Sequence, residues 1–508
     1  MIVISVLALL FTKEGSSTDT TFIHTYGGLS YEEGAAVDVT FDGGYVMVGS
    51  TGSFGLGNAD VYMVKVDSNG TYEWSRSYGG PNSDIGKSVK QTSDSGYVIT
   101  GYTNSFGAGG YDVFVVKTNS IGDTLWTNTF GGSNWDFGYE VVQTMDGGYA
   151  IAGETFSYGA GDNDMYLIRI DSSGDSLWTR TFGGAEQDYG RTLLETADTG
   201  FIIAGATFTF DVDSGDAYVV KTNSTGDTSW TANYGGTGND LVNDVIETID
   251  MGFACLGTTT SYNAMNQDMY LFRIDQLGVM TWYTALGSNE GNEQGYSLVE
   301  LRYKRYATLG YTDFLGGGGN EVYMVLTNEI GGFLYGRTYG FSEDEQFYSI
   351  AKRPNGGLAL LGTTNSVGVG LTDMLLYTTD SIGNDYNDTT FVPLVYATYL
   401  DISIPDAPVS VGAIQNPNRN ISIYPNPVRY EAMVNIEGGS LLNKYVEFRL
   451  YDLTGRKIKL IELNPSLPHS VNMSSLQSGV YFYEIVIQDK SHSEKQEIYK
   501  GKLILASE

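Results

Sequence analysis

The chain has 508 residues, with Gly at 66, Tyr at 38 and Pro at only 10, so it exceeds one ordinary core and is too aromatic for disorder. Sixty acids against 28 bases leave a net charge of −32, which disfavours nucleic acid and anionic membranes and favours divalent cations or basic partners. The single cysteine, Cys255, excludes an intrachain disulfide framework and any cysteine-based metal site.

Met1 to Phe11 is an apolar run, too short to span a bilayer, and residues 1–19 read as a truncated signal segment. No other stretch holds 18 consecutive apolar residues, so no transmembrane helix is expected. From residue 20 the chain repeats itself. Trp74, Trp126, Trp178, Trp230 and Trp282 follow one another at 52 residues, and Gly27, Gly79, Gly131, Gly183 and Gly235 keep step. Such a period is one supersecondary unit copied and stacked. Within one copy, Ser88–Thr92, Tyr97–Thr103, Asp112–Thr118 and Thr124–Phe130 read as short strands. Asp94-Ser95-Gly96, a Gly-rich loop and Asn119–Asp123 join them.

Four strands per repeat is the unit of a β-propeller blade. A glycine recurs inside the second strand at Gly49, Gly101, Gly153, Gly205, Gly257, Gly310 and Gly362, with one inserted residue between Gly257 and Gly310. Seven copies predict an all-β, seven-bladed β-propeller over 20–391. Glycine within a strand signals a bulge or a close backbone approach. Two segments compete for the last place in the ring, 22–26, with Phe22 in the tryptophan position, and 387–391. The N-terminal one is favoured because it removes an open edge. Residues 392–420 hold four prolines and read as a linker. Residues 421–508 carry ten acids and ten bases, so the whole charge excess lies upstream. Strand-like runs at Ala432–Ile436, Val446–Leu453, Arg456–Leu463 and Gly479–Ile487 suggest a small β-sandwich.

This tail resembles a known family. Tyr424-Pro425-Asn426-Pro427, Phe448–Asp452 with Gly455, Leu476 with Ser478–Tyr481, and Gly501-Lys502-Leu503 look like the C-terminal type A sorting domain of type IX secretion substrates. The resemblance implies export across the outer membrane. It also implies contact with the type IX secretion machinery, removal of 421–508 by a sortase, and an extracellular or outer-membrane-surface location. The repeats, with pieces such as Asp146–Gly153, resemble bacterial β-propeller repeats of secreted proteins. They resemble pyrroloquinoline-quinone propellers only through Asp171, Gly174 and Trp178. Those likenesses imply fold, not activity.

The recurrent tryptophans are expected to pack between blades. Two acidic ladders fall on one face. One is Asp60, Asp112, Asp164, Asp216, Asp268, Glu321 and Asp373. The other is Glu32, Asp84, Asp136, Asp188, Asp240, Asn292 and Glu345, in the loops crossing between blades. The second should ring the mouth of the central channel. Its acids, Glu32, Asp84, Asp136, Asp188, Asp240 and Glu345, are a candidate cation ring for calcium. Alternatively each acid locks its own turn. No cofactor is required. Phe54, Phe106, Tyr158, Phe210 and Tyr262, one per Gly-rich loop, either stack on a ligand's sugar ring or plug the loop bases. Arg302, Lys304 and Arg305 form a basic cluster where other repeats carry an Asp-Gly hairpin.

Catalysis has little support. The three histidines, His24, His469 and His492, form no cluster, and the Gly-rich loops lack a lysine and a helix. The reading is a monomeric surface scaffold for adhesion to a glycan or protein. The alternatives are an extracellular polysaccharide hydrolase or lyase and a purely structural surface component.

Overall fold

A computed structural model describes residues 21–384, apart from short loop segments at 211–213, 263–265, 289, 315–319 and 342. In the tail it describes the strands between 420 and 505 and a few neighbouring residues. Residues 1–19, the expected linker 392–420, the competing segment 387–391, His492 and the Asp452–Gly455 turn lie outside the described residues.

The repeat folds as read, with one instructive difference. In the second copy the strands are Asp84–Gln91, Tyr97–Thr103, Asp112–Thr118 and Thr124–Phe130. The first strand begins four residues before the expected Ser88. A β-bulge causes this: Gly86 pairs with Gly101 and Ser88 with Thr100, leaving Lys87 unpaired. The extra residue breaks the two-residue alternation that signals a strand in sequence. All seven first strands carry the bulge, at Ala35, Lys87, Tyr139, Arg191, Asn243, Tyr296 and Tyr348. The glycine ladder is its counterpart. A Cβ on Gly101 would stand 1.8 Å from the Ile85 carbonyl oxygen, and one on Gly49 would stand 1.7 Å from that of Glu33. No side chain fits opposite the bulge.

Seven four-stranded antiparallel sheets are described between Ile23 and Thr379. We number them from one to seven by their first strands, which start at Glu32, Asp84, Asp136, Asp188, Asp240, Glu293 and Glu345. Each first strand touches the next, and that of the seventh touches that of the first, so the sheets form a propeller-like cycle. Ile23–Tyr26 is the fourth strand of the seventh sheet, paired with Asp373–Thr379. The N-terminal segment therefore takes the closing place. Further bonds tie the ends, including Glu32 N–H to the Thr372 carbonyl at 3.0 Å and Val37 N–H to Ser349 Oγ at 3.2 Å.

Cores lie between sheets rather than within them. Val46, Val48, Val61 and Met63 of sheet one pack with Val89, Tyr97, Ile99, Phe114 and Val116 of sheet two. The same arrangement joins sheet seven to sheet one through Tyr26, Val37, Tyr45, Met47, Leu361 and Met374. The tryptophans seal the outer rim. Trp74 meets Tyr97 at 5.8 Å and lies under Gly122 of the next sheet, where φ is +81°. Phe22 does the same against Tyr45 and Gly70, which explains why it holds a tryptophan place. The hairpin aspartates Asp42, Asp94, Asp146, Asp198 and Asp250 pair with buried Lys65, Lys117, Arg169 and Lys221 and with the partly buried Arg273 at 2.5–3.0 Å. Sheet six has Leu326 in the basic place and lacks the aspartate, so both partners changed together.

The tail forms two sheets, one of Asn420–Tyr424, Glu431–Glu437 and His469–Asn472, the other of Lys457–Leu463, Lys444–Tyr451, Gly479–Asp489 and Gln496–Leu505. Val446, Phe448, Leu450, Ile485 and Ile487 of the second share a core with Val471 of the first, as a sandwich requires.

Candidate functional site

The expected cation ring does not form. Glu32, Asp84, Asp136, Asp188, Asp240 and Glu345 are buried in the corners between sheets and do not line the central cavity. Asp84 accepts bonds from Thr103 Oγ1, from Ser105 Oγ at 2.8 Å and from Gly80 N–H at 2.7 Å. Glu32 repeats this with Thr51, Ser53 and Gly28, Asp136 with Thr155, Ser157 and Gly132, and Glu345 with Thr364 and Phe341. Each acid braces its own crossing loop, although in Asp188 and Asp240 only Oδ2 is engaged and the buried Oδ1 has no hydrogen-bond partner among the described residues. The sixth member is Glu293, not Asn292. The residue inserted after Trp282 falls before it, and Glu293 takes the equivalent bonds from Thr312 and Ser288. Asn292 instead is half-buried and donates to Asp313. Among the described residues no group of three or more His, Cys, Asp or Glu could hold a metal ion.

The two ladders meet in pairs. Asp60 and Asp84 converge on the Cα of Gly79, and Asp268 and Glu293 on that of Gly287. Burial, reinforced by Glu293, pushes the Asp268 carboxyl up to about 7. Burial likewise raises Asp60, Asp112 and Asp164, each reinforced by the acid it faces, Asp84, Asp136 and Asp188.

The loop aromatics Phe54, Phe106, Tyr158, Phe210 and Tyr262 are not brought together either. Each lies over an aromatic of its own third strand, such as Phe54 on Tyr62 at 5.4 Å and Tyr262 on Tyr270 at 5.5 Å. Tyr158 and Tyr262 also donate to the carbonyls of Gly131 and Gly235. This is the plugging role. The basic cluster resolves similarly, since Lys304 pairs with Asp250 of sheet five at 3.0 Å.

What the structure does assemble is a central cavity of about 710 Å³, enclosed by the first strands. Its walls carry the bulge residues, because a bulge turns one extra side chain off the ladder. Here the copies diverge. Framework positions repeat, but the bulge reads Ala35, Lys87, Tyr139, Arg191, Asn243, Tyr296 and Tyr348. Below the bulges, Lys90 pairs with Glu140 at 3.2 Å, and Asp244 accepts Ser297 Oγ and Leu298 N–H at 2.9 Å. Burial and Glu140 push the Asp244 carboxyl up to about 6, while Glu140 holds the Lys90 ammonium above its ordinary range. Above, the Arg191 guanidinium lies 4.3 Å over the Tyr139 ring, and the Tyr139 hydroxyl donates to Glu154 Oε1 at 2.6 Å. Burial raises Tyr139, so it stays a phenol, and burial lowers the proton affinity of Lys87. Aligning the copies would have exposed this variable position. The off-ladder sixth tryptophan, Trp135, was a further signal in the sequence.

The fold and tail define a class: an all-β array of four-stranded sheets carrying a C-terminal export module. Residues 422–499 match the family model of the secretion system C-terminal sorting domain. The chain is thus a secreted or cell-surface protein, handled through this tail by the type IX secretion machinery. The regulatory protein FlaEY of Caulobacter vibrioides is 25% identical over 304 residues, 53% of this chain. The match spans 30% of that relative's length. Among solved structures, the extracellular domain of BT3049 from B. thetaiotaomicron aligns with 95% of this chain and 57% of its own at 12% identity, with a TM-score of 0.43. Among the described residues no helix is long and apolar enough to cross a membrane.

Proposed function

We propose that the chain is an exported surface scaffold that binds its ligand, a glycan or a protein, at the mouth of the central cavity. One observation carries this reading: a repeat that keeps its framework varies at the bulge, where side chains serve the cavity rather than the fold. A purely structural component would have no reason to collect Lys87, Tyr139 and Arg191 there. Half-buried charge is costly unless it is used or paired. The test is a glycan and protein array probed with the purified chain and with the Lys87→Ala/Arg191→Ala variant. A hit weakened at least tenfold in the variant, at unchanged melting temperature, is expected. A hit indifferent to the variant, or none, refutes the reading.

A polysaccharide hydrolase is the second reading. It draws on Asp244, whose raised carboxyl beside Glu140 resembles the split an acid–base pair needs. Release of reducing sugar that disappears in Asp244→Asn would favour it over the scaffold.

A further inference from the structure

The surroundings of the cavity are not equivalent all round: its lining residues Tyr139 and Lys87 adjoin an aromatic cluster through Phe137 and Tyr102. Sheets two and three gather six rings in one sector: Tyr102, Tyr111, Trp135, Phe137, Tyr139 and Phe156. Phe137 is the hub, with centroids 4.9 Å from Tyr102, 5.7 Å from Tyr111, 6.3 Å from Trp135 and Phe156, and 6.4 Å from Tyr139. No framework need explains them. In the place of Trp135 the other copies carry Tyr31, Ser83, Gln187, Asn239, Asn292 and Asp344. Trp135 is 55% exposed, yet its ring abuts Gly110, where a Cβ would stand 2.1 Å from its Cδ1. One side of the ring is packed and the rest is offered to solvent.

Beside the rings stand four charged groups. Lys87 lies 5.8 Å over Tyr102, Arg191 stacks on Tyr139, Glu154 accepts from Tyr139, and Glu33 on the rim is near enough to steady the Lys87 charge. Two bases balance two acids, so the sector makes no demand for a charged ligand. An apolar protein side chain seated there would cover the rings but strip water from Lys87, Arg191 and Glu33 without pairing them, Glu154 being already buried on Tyr139 and Asn163. A polyhydroxylated ring would instead lay its C–H face on the indole and exchange hydroxyl hydrogen bonds with the charged groups. We propose that this rim of sheets two and three binds a neutral saccharide, with a pyranose ring stacked on Trp135. The proposal rests on the ligand-binding reading of the same mouth.

The test is affinity electrophoresis of the full chain in native gels containing dextran, mannan, xylan or laminarin, with alginate as the acidic comparison. Retardation in at least one neutral gel is expected. Trp135→Ala should weaken it at least tenfold, Trp135→Phe should restore most of it, and both variants should melt with the parent chain. No retardation in any neutral gel, retardation by alginate alone, or retardation that Trp135→Ala leaves intact overturns the proposal. The two readings fail separately. Binding lost in the Lys87→Ala/Arg191→Ala variant but kept in Trp135→Ala, or a protein partner with no saccharide, leaves the scaffold standing and removes the saccharide site.

Discussion

Replacing Asp84 by alanine tests whether the acids of the crossing loops are structural locks. Asp84 is fully buried and takes three bonds, from Thr103 Oγ1, Ser105 Oγ and Gly80 N–H. A buried donor left without an acceptor costs about 1–3 kcal/mol. Water can reach the partly exposed Ser105, and removing the charge relieves Asp60, which faces Asp84 across Gly79. The net loss is therefore expected near 3 kcal/mol for Asp84→Ala. For Asp84→Asn, which keeps one acceptor oxygen, about 1–2 kcal/mol is expected. Urea unfolding of the full chain, followed by tryptophan fluorescence and circular dichroism together, measures both. A repeat array need not unfold in one step, so the comparison holds for the transition in which the two probes coincide. Asp84→Ala within 0.5 kcal/mol of the parent would defeat the lock. Calcium dependence of the parent midpoint, abolished in Asp84→Ala, would restore the cation ring instead.

Three further outcomes follow from the same structure. Asp268 has a folded-state carboxyl raised to about 7, so the folded chain holds that proton more tightly than the unfolded chain. Its stabilisation is present at low pH and is lost as pH rises from the ordinary carboxylate range through about 7, so Asp268→Asn should flatten the melting temperature between pH 5 and 8 and raise it at pH 8; an unchanged profile contradicts the pairing with Glu293. Deleting residues 1–26 removes the strand that covers Asp373–Thr379 and should lower the melting temperature by several degrees and promote association through the bared edge, as read by light scattering; a monomeric deletion melting with the parent would show that another segment closes the sheet. Deleting 421–508 should leave the chain inside the outer membrane when cells are fractionated, and normal surface display would refute the export role of the tail.

The 52-residue period carried the fold, because every sheet needs the same turn aspartates, rim tryptophan and strand glycine to fit its neighbour. The glycine ladder even announced a bulge, since only a close carbonyl forbids a side chain at that point in every copy. The motifs of the tail were equally plain, being local strings read in order. The site was different. Glu32 and its equivalents look like ligands when written in a column, but whether a carboxylate faces a channel or its own loop depends on which way the chain turns at the corner. Three-dimensional packing decided that, and it buried them. It also chose Phe22–Tyr26 to close the cycle, because pairing depends on where the first segment meets the last strand. Lys87, Tyr139 and Arg191 reach one cavity only after each bulge rotates a single residue out of its ladder. Trp135 meets Tyr111, Phe137 and Phe156 only because two neighbouring sheets bring those rings together. Repetition is a property of the string, whereas convergence of residues that do not repeat exists only in the folded cycle.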